Sequence, residues 1–145
     1  MKKALILSFA LIISLCAAAQ STAQEKDSTT FKGYLYNEKY NVYIVLDFYH
    51  NNIVVPNQEI YGEMAGYFGD RQDGRKWLFT EAKIIDKGKA EIQIINDYGS
   101  EDLTAELSVT PEGKYIFKQL KGSTMKIARN RKWLKLPKTI EFIRR

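Results

Sequence analysis

The chain carries few of the side chains that catalysis and metal binding usually need. Cys16 is its only cysteine and His50 is its only histidine. Clustered zinc sites, Cys-based redox pairs and Cys–His couples therefore lack their atoms. A Ser–His–Asp triad would depend on His50 alone, and the neighbouring sequence does not favour one. We expect no catalytic residues, no metal ion and no cofactor.

Two carboxylates are the remaining candidates for acid–base chemistry. Asp47 and Glu81 each lie inside a predicted strand. A carboxylate that points into a protein interior loses its hydration, which raises its pKa and suits it to donate a proton. Strand alternation more often leaves such groups in water, so we assign neither a role. The acidic segments 70–74 and 97–102 lack the ligand spacing of a calcium loop, and we interpret them as hairpin turns.

Basic residues are concentrated at the C-terminal end of the chain. Residues 114–145 contain eleven Lys or Arg and one acidic residue, a formal charge of +10, whereas residues 24–113 carry −7. Such a field attracts sulfate, phosphate, uronic acids and anionic lipid headgroups. The sharpest local group is a basic turn beside a ring that can stack on a sugar or a base; it comprises Arg129, Arg131, Lys132 and Trp133. The alternative is that these residues only cover solvent faces and protect strand edges.

Tyrosines are concentrated in the first half of the chain. Seven of the nine lie between Tyr34 and Tyr67. Tyrosine suits the half-buried pleated surface of a sheet, and this is the plainer interpretation. The alternative is a rim or lumen lined by rings that suit a planar or sugar ligand. Exposed rings near predicted turns, such as Tyr98, would matter most.

The elements that must position these residues are short strands. From Thr30 onward, alternating runs rich in Tyr, Phe, Val and Ile are interrupted by turn residues about every eight to twelve positions. The pair Asn51–Asn52 predicts a two-residue hairpin, because Asn tolerates positive φ. The predicted strands are 31–36, 42–50, 53–55, 60–68, 77–85, 91–95, 103–109, 114–121, 125–129 and 138–143.

Eight to ten short strands with short connections predict an all-β fold, an antiparallel meander that closes into a small barrel or folds into a sandwich. We favour the barrel, because closure removes exposed edges in a chain without disulfides and the glycines within strands suit curvature. With 145 residues, 45% of them apolar, the chain fits one domain at 30–145, preceded by a polar tether at 24–29.

The first 23 residues are predicted to be a cleaved signal peptide. Lys2 and Lys3 precede an uncharged apolar run at 4–15, and small residues suited to signal peptidase follow. We therefore expect an exported protein, periplasmic or secreted, with no transmembrane segment in the mature chain. Lipid anchoring through Cys16 is the alternative, although Leu15 occupies the place where a lipobox has a small residue.

The overall pattern resembles the small secreted bacterial β-barrels of the lipocalin-like and avidin-like type. The likeness rests on the signal segment, on Phe-Lys-Gly-Tyr at 31–34 and on a meander that ends at 136–142. The Gly-x-Trp signature of lipocalins is absent, because Gly33 and Tyr34 are followed by Leu35 where the signature has Trp. The resemblance implies a barrel architecture and does not transfer any ligand contact.

These patterns favour a non-catalytic binding protein. The leading hypothesis is a lipocalin-like carrier or sensor of a small apolar or aromatic ligand, with a pocket lined by Leu46, Phe48, Met64, Tyr67, Phe79 and Ile94. The alternative is a surface-binding module or inhibitor. It would engage an anionic glycan, an envelope component or an acidic protein through its basic C-terminal strands. Nucleic acid is not an expected partner, because the sequence has no recognition motif for it.

Overall fold

A computed structural model describes residues 27–145 of the protein. Within this range it contains twelve strands and one short 3₁₀-helix, Glu59–Tyr61. The strands are β1 (Lys32–Asn37), β2 (Val42–Asp47), β3 (Ile53–Val54), β4 (Glu63–Met64), β5 (Gly66–Asp70), β6 (Lys76–Asp86), β7 (Lys89–Asn96), β8 (Asp102–Val109), β9 (Tyr115–Gly122), β10 (Lys126–Arg129), β11 (Lys132–Lys135) and β12 (Thr139–Arg144). The predicted signal peptide at 1–23 and the start of the tether lie outside the described residues.

Eight of the strands form a closed antiparallel barrel. Their order around the ring is β1-β12-β9-β8-β7-β6-β5-β2. β1 pairs with both β2 and β12, which closes the ring. Neighbours in the ring are neighbours along the chain, apart from the seam between β1 and β12 and two inserted hairpins, β3–β4 and β10–β11. The predicted all-β barrel is confirmed, and the sandwich is not what forms.

Aromatic and aliphatic side chains fill the interior of the barrel. Alternation along each strand places one face inward, as at Val42 and Ile44 of β2. At the centre, buried phenylalanine rings contact one another with centroid separations of 5.9 to 6.5 Å; these are Phe68, Phe79, Phe117 and Phe142. Their packing fixes the barrel as a rigid support for its two ends.

The barrel has two ends, and both are covered. We call the end that carries the β10–β11 hairpin the cap end and the opposite one the base. The hairpin region buries Met125, Ile127 and Leu136 in the main core. At the base, Phe31 stacks on Phe48 with ring centroids 5.6 Å apart. The connections β1–β2, β5–β6 and β7–β8 all reach the cap end, so they surround the hairpin.

Two predicted elements between residues 51 and 68 are wrong. Asn51–Asn52 does not join paired strands, because β2 pairs with β5 and β3 pairs with β4. The predicted strand 60–68 begins instead as the 3₁₀-helix, which ends at Gly62 with φ 73°. Asn57 also has a positive φ of 65°. These bends lie in the β3–β4 hairpin, which forms a separate two-stranded sheet outside the barrel. We call this hairpin the β3–β4 excursion.

Candidate functional site

A cleft of about 200 Å³ lies at the cap end, between the β10–β11 hairpin and the turn that joins β7 to β8. We call it the cap cleft. Each of its walls comes from a different part of the chain. Its charged and aromatic lining side chains include Arg75, Tyr98, Glu101, Lys126 and Trp133.

The β10–β11 hairpin forms one wall of the cap cleft. Its two central residues, Asn130 and Arg131, have φ of 55° and 64°, as a tight type I′ turn requires. The basic turn predicted at 129–133 is therefore shorter than expected: Asn130 and Arg131 form the turn, and Lys132 and Trp133 already belong to strand β11. The register places Trp133 opposite Ala128 and Lys126 opposite Lys135. Because residues two apart share a face, all four lie on the same side of the hairpin.

That face of the hairpin carries two lysines directly opposite one another. Like charges directly opposite one another destabilise a strand pair, and Lys126 and Lys135 are such a pair. Glu101 relieves part of the repulsion, since its Oε1 lies 3.2 Å from Lys126 Nζ. Lys135 is exposed and forms no ion pair within residues 27–145.

Trp133 presents an aromatic surface between cations. Its side chain is 57% exposed. Arg75 Cζ lies 4.7 Å from the ring centroid and Lys126 Nζ lies 5.5 Å from it. The cross-strand neighbour, Ala128, is too small to cover the indole. The arrangement can hold a ligand that has both an apolar ring face and an anionic group.

The four basic-turn candidates divide into two groups. Arg129 is part of the structural framework: it donates from Nη1 to Asp70 Oδ2 at 2.6 Å and from Nη2 to Asp70 Oδ1 at 2.9 Å. Nη2 also donates to the Tyr40 carbonyl at 2.6 Å. Arg131 and Lys132 are exposed and, within residues 27–145, form no ion pair. With Trp133, they are the members of the group that remain at the surface.

A second pocket, of about 540 Å³, lies at the base. We call it the basal pocket. Phe48 and Ala82 give it an apolar part, and His50 and Lys83 give it a polar part. It is a depression beside the covered end of the barrel and not an opening into the lumen, since Phe31 and Phe48 close that end.

Asp47 orders the turn beside the basal pocket. Its buried carboxylate accepts hydrogen bonds from the Tyr49 and His50 amides, each at 3.1 Å, and His50 Nδ1 lies 2.9 Å from Oδ2. Burial raises the pKa of Asp47, but these hydrogen bonds from His50 and Tyr49 outweigh it and the pKa is lowered. The expectation that strand alternation leaves Asp47 in water is therefore wrong, since its side chain is buried, and its burial does not produce a raised pKa. Glu81 is exposed to solvent.

The six pocket candidates do not line one cavity. Leu46, Phe79 and Ile94 belong to the filled core, and Phe48 belongs both to that core and to the basal pocket. Met64 and Tyr67 form a separate cluster with Val55 and Leu78 under the β3–β4 hairpin. Burial there, together with Tyr43, raises the pKa of Tyr67 to about 12.

Sequence reasoning missed several residues of the cap cleft. Arg75 and Lys126 gave no local signal, because only the fold brings them to Trp133. Tyr98 did have a signal, as an aromatic residue in a predicted turn, and it is 76% exposed. The Trp and Leu of the Lys-Trp-Leu-Lys run of β11 follow a turn, and the β-propensity of Trp could have extended the predicted turn into a hairpin.

Comparison of the chain with known protein families, characterised proteins and solved structures gave no significant match. In residues 27–145, no helix has the length and apolar character needed to cross a bilayer. The fold is an eight-stranded antiparallel barrel, the architecture that the lipocalin-like resemblance implied. Function is therefore inferred from the two pockets themselves.

Proposed function

We propose that this protein is a non-catalytic binding protein that holds an anionic glycan in the cap cleft. The observation that carries the proposal is the exposed indole of Trp133, which has Arg75 and Lys126 within 5.5 Å of its ring. The apolar face of a sugar ring packs on indole, while a uronate or sulfate group meets the cations. No group of the ligand has to react.

The charges around the cleft support an anionic ligand. Three acidic side chains at the cap end are already paired, Asp70 with Arg129, Asp73 with Arg75 and Glu101 with Lys126, whereas Glu38, Asp97 and Asp102 form no ion pair within residues 27–145. Arg131, Lys132 and Lys135 are exposed and have no acidic partner within residues 27–145. An anion close to these residues gains Coulomb energy that salt would screen. The predicted signal peptide fits this proposal, because it would place the protein where envelope glycans occur.

Calorimetry with a defined heparin oligosaccharide tests the proposal. The wild type should bind, and its affinity should fall steeply as salt rises. Trp133→Ala should weaken binding by about tenfold or more, since stacking on one aromatic ring contributes roughly 1–3 kcal/mol. Lys135→Ala, which removes the exposed lysine on the same face as Trp133, should weaken it less and reduce the salt dependence.

The matched control is Lys83→Ala, which removes an exposed lysine at the base. It should bind heparin like the wild type, and neutral dextran should not bind to any variant. Equal affinities for Trp133→Ala, Lys83→Ala and the wild type would overturn the proposal.

The second candidate function is a carrier of a small apolar or aromatic ligand, located at the basal pocket. The filled core argues against a site in the lumen. The volume of about 540 Å³ at the base favours this position, since small-molecule sites usually measure about 300–1,000 Å³. A fluorescent naphthylamine probe should bind the wild type and Trp133→Ala, and Ala82→Trp should abolish binding by filling the pocket. Unchanged binding to Ala82→Trp would remove this candidate.

A further inference from the structure

Three large apolar side chains protrude at the cap end. Ile60 is 93% exposed, Tyr98 is 76% exposed and Trp133 is 57% exposed. In the described part of the chain, these are the three most exposed large hydrophobic residues. We call them the apolar rim. Single exposed apolar residues are common, but three such residues around one end of a barrel call for a partner.

The rim is held in place by contacts between its elements. The 3₁₀-helix that carries Ile60 is fixed to the β7–β8 turn, because Tyr61 Oη donates to the Asp97 carbonyl at 3.3 Å. Tyr98, the next residue of that turn, lines the cap cleft together with Trp133. The three rim residues are therefore carried by neighbouring elements, the 3₁₀-helix, the β7–β8 turn and the β10–β11 hairpin.

Positive charge accompanies the rim at the cap hairpin, whereas Glu59 adjoins Ile60 and Asp97 adjoins Tyr98. Arg131, Lys132 and Lys135 belong to the same hairpin as Trp133 and are exposed. Aromatic and aliphatic tips next to unpaired Lys and Arg are the combination that binds the interface of an anionic membrane. Trp and Tyr in particular favour the headgroup region, where a ring can be buried while its polar atom stays hydrated.

We infer that the cap end docks on an anionic lipid bilayer, with Ile60, Tyr98 and Trp133 inserted among the headgroups and the cap-hairpin cations above them. The three rim residues come from separate elements, the 3₁₀-helix, the β7–β8 turn and strand β11, and not from one flat packed face, which suits a fluid surface better than a rigid protein partner. This inference rests on the proposed function, because the cleft and the rim share Trp133. It specifies that the glycan recognised is one displayed at a membrane surface.

Vesicle binding followed by tryptophan fluorescence tests the inference. The mature chain, residues 24–145, would be mixed with vesicles of phosphatidylcholine alone or of phosphatidylcholine and phosphatidylglycerol in equal parts. Of the two tryptophans, Trp77 is buried, so a blue shift and quenching by brominated lipid report on Trp133. We expect binding and a blue shift with the anionic vesicles, with both reduced by salt.

Two isoleucine variants separate the rim from general surface hydrophobicity. Ile60→Ser should weaken partitioning to anionic vesicles by about tenfold, as expected for one aliphatic side chain removed from an apolar contact. Ile85→Ser is the matched control, because Ile85 is also exposed but lies on the β6–β7 hairpin at the base. Equal partitioning of the two variants would overturn the inference.

The outcomes also distinguish this inference from the proposed function. Ile60→Ser should leave the affinity for the soluble heparin oligosaccharide unchanged. If the wild type binds that oligosaccharide but no vesicle, the docking inference fails and the proposed function stands. If it binds neither, both fail. Dimerisation that Ile60→Ser abolishes, without vesicle binding, would identify the rim as a protein interface and overturn docking on lipid.

Discussion

The ion pair between Arg129 and Asp70 should determine how firmly the cap hairpin is held on the barrel. The Asp70 side chain is 4% exposed and the Arg129 side chain is 19% exposed. Arg129→Ala would leave the Asp70 carboxylate buried without its bidentate partner and would remove the hydrogen bond to the Tyr40 carbonyl. Removing one member of a buried pair costs about 3–5 kcal/mol, and the partial exposure of Arg129 places the expected loss near the lower limit, at about 3 kcal/mol.

Urea unfolding followed by tryptophan fluorescence measures this loss. Arg129→Ala should lower the midpoint with little change in slope, because the surface exposed on unfolding stays nearly the same. Lys114→Ala is the control, since Lys114 and Glu141 form a 3.3 Å ion pair with both side chains about half exposed. Such a surface pair contributes about 0–1 kcal/mol. If Arg129→Ala lowers the free energy of unfolding no more than Lys114→Ala does, the Arg129–Asp70 pair does not hold the β10–β11 hairpin on the barrel.

Two further predictions concern the base and the barrel wall. The lowered pKa of Asp47 means that its carboxylate stabilises the fold above the ordinary Asp range, and that this stability is lost as pH falls through the lowered value. Urea midpoints of the wild type should therefore fall more steeply on acidification than those of Asp47→Asn; parallel curves would contradict this. At Gly66, an added Cβ would lie 2.3 Å from the Val45 carbonyl oxygen. Gly66→Ala should cost about 1–3 kcal/mol by the same assay, whereas Gly74→Ala, which has open space, should change stability by at most about 0.5 kcal/mol. Similar midpoints for the two glycine variants would refute the close approach.

The barrel could be predicted from local patterns because alternation is itself a local property. The predicted strand 103–109 differs from β8, Asp102–Val109, by one residue. Burial along β8 alternates as the sequence does, since each strand buries one face against the same core. Alternation does not show which strands pair where the chain leaves the barrel. The predicted hairpin at Asn51–Asn52 and the start of the predicted strand 60–68 are wrong for that reason.

The cap cleft could not be predicted in the same way. Arg75, Tyr98 and Trp133 are far apart in the sequence, and only the ring order of the strands and the fold-back of β10–β11 bring them together. The role of Arg129 could not be predicted from its sequence neighbours either. Its basic neighbours predicted a surface contact, but Asp70, at the end of β5, gives it a buried partner.

The seam of the barrel has a consequence for how the chain folds. β1 and β12 come from opposite ends of the described sequence, and Tyr36 is paired with Ile143. Contacts between such distant residues make folding slow, because a long loop must be closed before any pairing energy is gained. Until the last strand arrives, β1 and β9 keep exposed backbone donors and acceptors that can pair with another copy. A chain shortened by its final strand should therefore associate with itself, and would not simply be a less stable monomer.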